Sequence, residues 1–201
     1  MTGLEPRRAG VVIVGGGPAG MMAGLLFTRA GVPAVVLEKH ADFLRDFRGD
    51  TVHPSTIDLM DELGLLDRFL ALPHDRVGDV GAVIGGKAYR VADFSHLPGP
   101  GRFVAMMPQW HFLDFLAGEA RRHPDFTLRV QTDGAALIEE SGRIVGVRER
   151  TRAGIPGRFE RRGKQGFVAP GTLLSPYAER LCYARDITGR WRIAGFVGGG
   201  D

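Results

Sequence analysis

The run Val11-Val12-Ile13-Val14-Gly15-Gly16-Gly17-Pro18-Ala19-Gly20, read on to Glu38, decides the fold. Residues 11–14 are β-branched and apolar, which predicts a short strand buried on both faces. Glycines 15, 17 and 20 then fit G-x-G-x-x-G. Residues 21–30 carry no β-branched side chain except Thr28, so a helix is expected, and Gly31 stands where it should stop. Ala34-Val35-Val36-Leu37 predicts a second buried strand, which ends on Glu38.

Strand, glycine triplet, helix, strand and acid in register point to the ADP half of a dinucleotide. Gly15 allows the tight turn out of the strand, Gly17 lets the backbone approach a pyrophosphate, and Gly20 lets the helix pack close to the sheet. The helix N-terminus offers unpaired N–H groups and a partial positive charge to phosphates. Glu38 lies 18 residues beyond Gly20, where a carboxylate can accept bonds from ribose hydroxyls. The same charge repels a 2′-phosphate and argues against NADP in this site.

The 201 residues and 44% hydrophobic content suit one globular domain or slightly more. No apolar run approaches the roughly 18 residues of a membrane span, and no signal-peptide core precedes the glycine loop, so a cytoplasmic location is expected. A single cysteine, Cys182, excludes an intrachain disulfide and a multi-cysteine metal site; no metal is expected. Charge is uneven. Residues 1–150 hold 17 Lys and Arg against 19 Asp and Glu, whereas residues 151–201 hold 9 against 4. The basic excess therefore belongs to the tail, and without an aromatic or helical pattern it does not predict nucleic-acid binding.

Helices are expected at 54–64 and 109–122, with Pro54 at a first helical position and Gly64 as a stop. A short amphipathic turn covers 65–70. Hairpins are expected around Gly85-Gly86 and around Glu140-Ser141-Gly142-Arg143. Strands are expected at 103–106 and 126–130. His53 and His111 sit beside helix starts and read as surface or capping residues rather than catalytic bases. The expected fold class is α/β, a Rossmann-like domain with antiparallel β-hairpin excursions, over residues 1–150. Residues 151–201 form a basic tail holding 10 of the 30 glycines, in which only 190–197 resembles a strand. Low order is expected there.

Residues 10–150 resemble the N-terminal part of the FAD-dependent aromatic hydroxylases, the group that includes para-hydroxybenzoate hydroxylase and polyketide-tailoring monooxygenases. The likeness rests on the 11–20 motif and on Val36-Leu37-Glu38-Lys39. It rests further on Phe47-Arg48-Gly49-Asp50 leading into the 54–64 helix, and on Pro108-Gln109 opening the next one. The resemblance implies that Gly15, Gly17, Pro18, Ala19 and Gly20 wrap the FAD pyrophosphate. It implies that Glu38, with Lys39 beside it, holds the adenosine ribose, that Arg48 lies near the flavin and pyrophosphate, and that Gln109 bonds the ribityl–phosphate region. It implies an enzyme that consumes NAD(P)H and O2 and places one oxygen atom on an aromatic or polyketide-like molecule. Catalytic residues and oligomeric state are not readable.

The family pattern also calls for a strand ending in Asp-Gly near 150–170 and for a later Gly-Asp motif. Neither is visible, apart from a faint echo at Gly200-Asp201, so a truncated or rearranged member is expected. Two other readings stay open: a non-catalytic FAD- or ADP-binding remnant, and a different FAD or NAD oxidoreductase of the same fold.

Overall fold

The computed structural model describes residues 7–44, 50–141, 143–161, 167–170, 183–185 and 191–193. Strand β1 (Arg7–Ala9) leads through Gly10 into β2 (Val11–Val14), helix α1 (Pro18–Arg29) and β3 (Ala34–Leu37). Then come β4 (Thr51–Val52), α2 (Pro54–Glu62), α3 (Leu66–Leu70), β5 (Asp75–Val77) and the hairpin β6 (Asp79–Ile84) and β7 (Lys87–Asp93). They are followed by β8 (Val104–Met106), α4 (Gln109–Ala120), β9 (Phe126–Arg129), β10 (Thr132–Glu140) and β11 (Arg143–Thr151). The remaining strands are β12 (Pro156–Arg161), β13 (Phe167–Pro170), β14 (Tyr183–Arg185) and β15 (Trp191–Ile193).

The chain folds as two compact units, residues 1–42 with 116–201, and residues 43–115. The first unit is built on a parallel sheet in the order β13-β2-β3-β9. Val11 pairs with Ala34 and Ala34 with Phe126, so the carboxyl ends of β2, β3 and β9 finish level at Val14, Leu37 and Arg129. Continuous apolar runs form β2 and β3 because both faces of this sheet are covered. Ile13 and Val36 face α1, where Gly20 and Gly24 bring the helix backbone close: a Cβ on Gly24 would lie 2.9 Å from both Val36 Cγ2 and Phe126 Cε2. The buried Thr28 hydroxyl inside α1 donates to the Gly24 carbonyl at 2.8 Å, so it carries no unsatisfied group into the core.

The opposite face of the parallel sheet packs against a second sheet, in the order β1-β12-β11-β10. Val12, Val35 and Leu37 meet Ala9, Val147 and Phe159 there, with Val14 at the edge. The first unit is thus three layers: helix, parallel sheet and mainly antiparallel sheet.

Both expected helix stops have the same geometry. After α1, Gly31 has φ +76°, its N–H donates to the Thr28 carbonyl, and Val32 N–H donates to the Phe27 carbonyl. After α2, Gly64 has φ +66°, with Gly64 N–H bonded to Asp61 and Leu65 N–H to Met60. These are Schellman closures, which place a residue in the left-handed region and so favour glycine. The second unit packs Phe69 edge-on to Phe112 at 5.9 Å, and Ile57 and Met60 are fully buried in the same unit. Its hairpin turns on Gly85 and Gly86, both with positive φ, as a two-residue I′-type turn requires.

The elements expected from the sequence are present with shifts of a few residues at their ends. The region beyond residue 150 holds more strand than expected. Strand β12 pairs antiparallel with β11 and parallel with β1, and β13 runs parallel to β2, with Pro170 opposite Val14. A strand therefore stands in the 150–170 window where none was expected, ending on proline followed in sequence by Gly171 rather than on Asp-Gly. Strands this short, whose parallel partners lie about 150 residues away in sequence, leave little local periodicity to read. The Gly200-Asp201 echo and Cys182 lie outside the described residues.

Candidate nucleotide site

The carboxyl ends of β2 and β3 meet the N-terminus of α1, the crevice where ligands of open parallel sheets bind. Gly15 leaves β2 with φ +104°, a conformation that only glycine adopts readily, and its N–H donates to the Leu37 carbonyl at 2.7 Å. Gly17 is the N-cap of α1 in extended backbone, and Pro18, at the first helical position, has no N–H to lose. Gly17's carbonyl accepts the first helical bond, from Met21 N–H at 2.9 Å. No side chain caps this end, and no acid lies in its first turn. The helix N-terminus therefore keeps its capacity for an anion. Pro18 and Ala19 are exposed; Gly20 is buried, and a Cβ on it would run into the Gly15 carbonyl.

Glu38 is buried at 6% exposure at the end of β3. Its Oε2 accepts from Gly16 N–H at 2.8 Å and its Oε1 from His40 N–H at 2.9 Å. The first bond clasps the glycine loop to the second strand. A carboxylate has about four acceptor positions, so one side chain can accept both bonds. Lys39 follows, exposed.

The structure thus brings Gly15, Gly17, Pro18, Ala19, Gly20, Glu38 and Lys39 together at one edge. Gln109 opens α4 within the second unit and is half-buried there. Arg48, with Phe47 and Gly49, lies outside the described residues.

A neighbouring feature escaped the sequence. A cavity of about 350 Å³ opens at the end of β9, lined by Arg129, Val130, Gln131, Thr132, Thr151, Arg152 and Ala153. Its floor is anchored to the Glu38 segment: Thr132 N–H donates to the Glu38 carbonyl at 2.9 Å and Gln131 N–H to the His40 carbonyl at 2.8 Å. Strand β9 was expected, but only its parallel pairing with β3 shows that its end belongs to the same crevice. Beside the cavity a buried carboxylate holds two partly exposed arginines. Glu149, 3% exposed, has Oε1 2.8 Å from Arg7 Nη1 and Oε2 3.0 Å from Arg129 Nε. The Arg7 contact is an aligned hydrogen bond; the Arg129 contact is an ion pair whose N–H is not aimed for one. Both guanidinium carbons lie 5.8 Å from the Phe159 ring centroid.

An FAD-binding-domain family matches residues 8–158 of the chain. The chain belongs to this family. Among family relatives it resembles 6-methylpretetramide 4-monooxygenase of Streptomyces rimosus, at 36% identity over 143 residues, covering 68% of this chain and 33% of the relative. It also resembles rifampicin monooxygenase of Rhodococcus hoagii, at 30% identity over 141 residues, covering 70% of this chain and 26% of the relative. The crystal structure of p-nitrophenol 4-monooxygenase from Pseudomonas putida DLL-E4 superposes with a TM-score of 0.71 at 22% identity, over 90% of this chain and 41% of that one. The chain therefore spans about a third or less of the two curated relatives. The fold is an FAD-binding α/β fold, incomplete relative to these flavoproteins. Among the described residues no helix is long and apolar enough to cross a membrane. No cluster of three or more His, Cys, Asp or Glu in metal-binding geometry occurs among them either.

Proposed function

We propose that this chain holds FAD through its ADP half and that it is the cofactor-binding part of an NAD(P)H-driven monooxygenase acting on an aromatic or polyketide-like molecule with O2. The observation that supports this best is the clasped loop: a positive-φ Gly15, an uncapped and acid-free helix N-terminus, and a buried carboxylate drawn against Gly16. These residues fit the cofactor, because a side chain at Gly20 would fill the loop's own space. FAD, when bound, supplies the redox chemistry.

The chain's residues bind and orient it. The backbone of Gly15, Gly17, Pro18, Ala19 and Gly20 lies where a diphosphate meets the positive end of α1. Glu38 accepts the ribose hydroxyls, and Lys39 stands at the rim. Arg48 and Gln109 serve the flavin-proximal half. Residues 1–150 carry the nucleotide function, residues 151–201 form the basic tail, and the compartment is the cytoplasm. The names of the relatives are what support the substrate class.

A non-catalytic FAD- or ADP-holding remnant is the second reading. Purified protein distinguishes them. Bound flavin in the visible spectrum, with substrate-stimulated NAD(P)H oxidation, supports the enzyme. Flavin or ADP binding without turnover supports the remnant, and binding of neither overturns both.

A further inference from the structure

The antiparallel sheet turns one face to the parallel sheet and the other to solvent. Val147 and Phe159 pack inward, and Glu149 is buried on the same side. Side chains alternate along a strand, so Arg148 and Arg150 of β11 and Arg158 of β12 stand on the outer face, and all three are exposed. The register sets Arg148 directly across from Arg158. Like charges in that relation repel each other. Arg158 has an acid on its own strand, Glu160, at 3.2 Å, and Glu160 also lies across from Arg8 of β1. Asp133 of β10 lies across from Arg150. Among the described residues, Arg148 and Arg150 form no ion pair. This end of the outer face is therefore patterned: a cationic centre with an acid at either side.

We propose that this face is a docking surface for a partner protein that presents an acidic helix. Charge complementarity and spacing carry it. Facing Cβ atoms on neighbouring strands are about 5 Å apart, and alternate residues along one strand are about 7 Å apart. Carboxylates at i and i+4 of a helix lie about 5–6 Å apart, so one helix edge can meet Arg148, Arg150 and Arg158 together. A carboxylate set between Arg148 and Arg158 replaces their repulsion with attraction to both, and a guanidinium fork binds it in a fixed plane. The two acids on the face select the class of partner. A membrane surface or a nucleic-acid backbone carries negative charge uniformly and would press it against Asp133 and Glu160. A helix can place neutral or basic side chains there, which is how patterned charge confers specificity. Bases would also lack a stacking platform, because Phe159, the one aromatic residue of β10, β11 and β12, points inward. The inference stands apart from the nucleotide reading, since these side chains point away from the parallel sheet.

The test uses the full chain and a fluorescent alanine-based helical peptide with glutamates at i, i+4 spacing, followed by anisotropy at low salt, where exposed charges are least screened. The same peptide with glutamine at those positions is the control. The acidic peptide is expected to bind, and the glutamine peptide is not. The double variant Arg148→Gln, Arg158→Gln is expected to weaken the acidic peptide about tenfold, and Arg150→Gln alone about threefold. Arg122→Gln, which removes an exposed cation just beyond α4, is expected to change nothing. Thermal unfolding of the double variant is expected to match the wild type or exceed it, because the cross-strand repulsion is gone. Failure of the acidic peptide to bind overturns the proposal, as does an equal loss in Arg122→Gln. A clear fall in melting temperature in the double variant would assign the arginines to the fold and overturn it too. Vesicles of anionic lipid, or a single-stranded oligonucleotide, that bind more tightly than the peptide and lose affinity in the same variants would assign the face to that other class. Flavin binding plays no part in these readings, so failure here leaves the nucleotide site untouched.

Discussion

The two faces of the parallel sheet are packed by opposite means. Toward α1 the contact is made by missing atoms. Gly20 and Gly24 bring helix backbone onto Ile13, Val36 and Phe126, and any added carbon meets main chain or core. Toward the antiparallel sheet the contact is made by large groups and by charge: Val12, Val35, Leu37 and Phe159 fill the layer, and Glu149 is buried between two arginines at its margin. The first face tolerates almost no substitution because there is nothing to repack. The second can relax around a changed side chain, provided that no charge is left buried alone.

Substitutions test that contrast directly. Gly20→Val is expected to have the largest effect, destabilising by about 3 kcal/mol or more and removing FAD binding. A melting temperature near that of the wild type would break the claim that the helix face has no slack. Glu149→Ala comes next. Deleting the buried carboxylate removes its contacts with two partly exposed arginines and is expected to cost about 2 kcal/mol, since Arg7, half-exposed, finds water more easily than Arg129. A denaturant titration reads this, and the loss should shrink in the double variant lacking Arg129. At the edge that both faces share, Glu38→Arg replaces a charged acceptor and is expected to weaken FAD by roughly thirtyfold, or about 2 kcal/mol. Fluorescence titration of the free flavin would show it.

Gly31→Ala sits off both faces, with open space around its Cβ position, so only the backbone conformation at φ +76° objects. The expected loss is about 1 kcal/mol by thermal unfolding, and a much larger one would mean that the helix end is packed more tightly than the geometry shows. The smallest effect belongs to the second unit. Hydrogen bonds from Ser95, side chain first and then backbone, hold the Asp93 carboxyl below its ordinary value, with Arg90 and His96 adding to it. A lowered carboxyl contributes stability above its unfolded value and loses it as pH falls through the lowered one. Ser95→Ala should therefore raise the Asp93 titration toward the ordinary carboxylate range, as followed by NMR.

The helix face was readable because its instructions are consecutive. Strand, loop, helix and strand lie within residues 11–38, and glycine at 15, 20 and 31 has one structural meaning at each place. The other face was not. Arg7 and Glu149 are separated by 142 residues, and neither says anything about the other until β1, β11 and β12 have paired. The same holds for the cavity. Its place at the end of β9 counts for nothing until β9 is known to lie parallel to β3. Strand β13 was missed because a four-residue segment ending in proline carries no alternation to detect, and parallel pairing with β2 is what makes it a strand.

The bond from Gly16 to Glu38 has a consequence for anyone hoping to re-engineer cofactor affinity. The acid proposed to hold the sugar also ties down the loop proposed to receive the diphosphate. Exchanging it for a residue without a carboxylate would loosen the hold on the sugar and slacken the receiving loop in one stroke. A workable redesign would need a companion change that supplies Gly16 with a new acceptor.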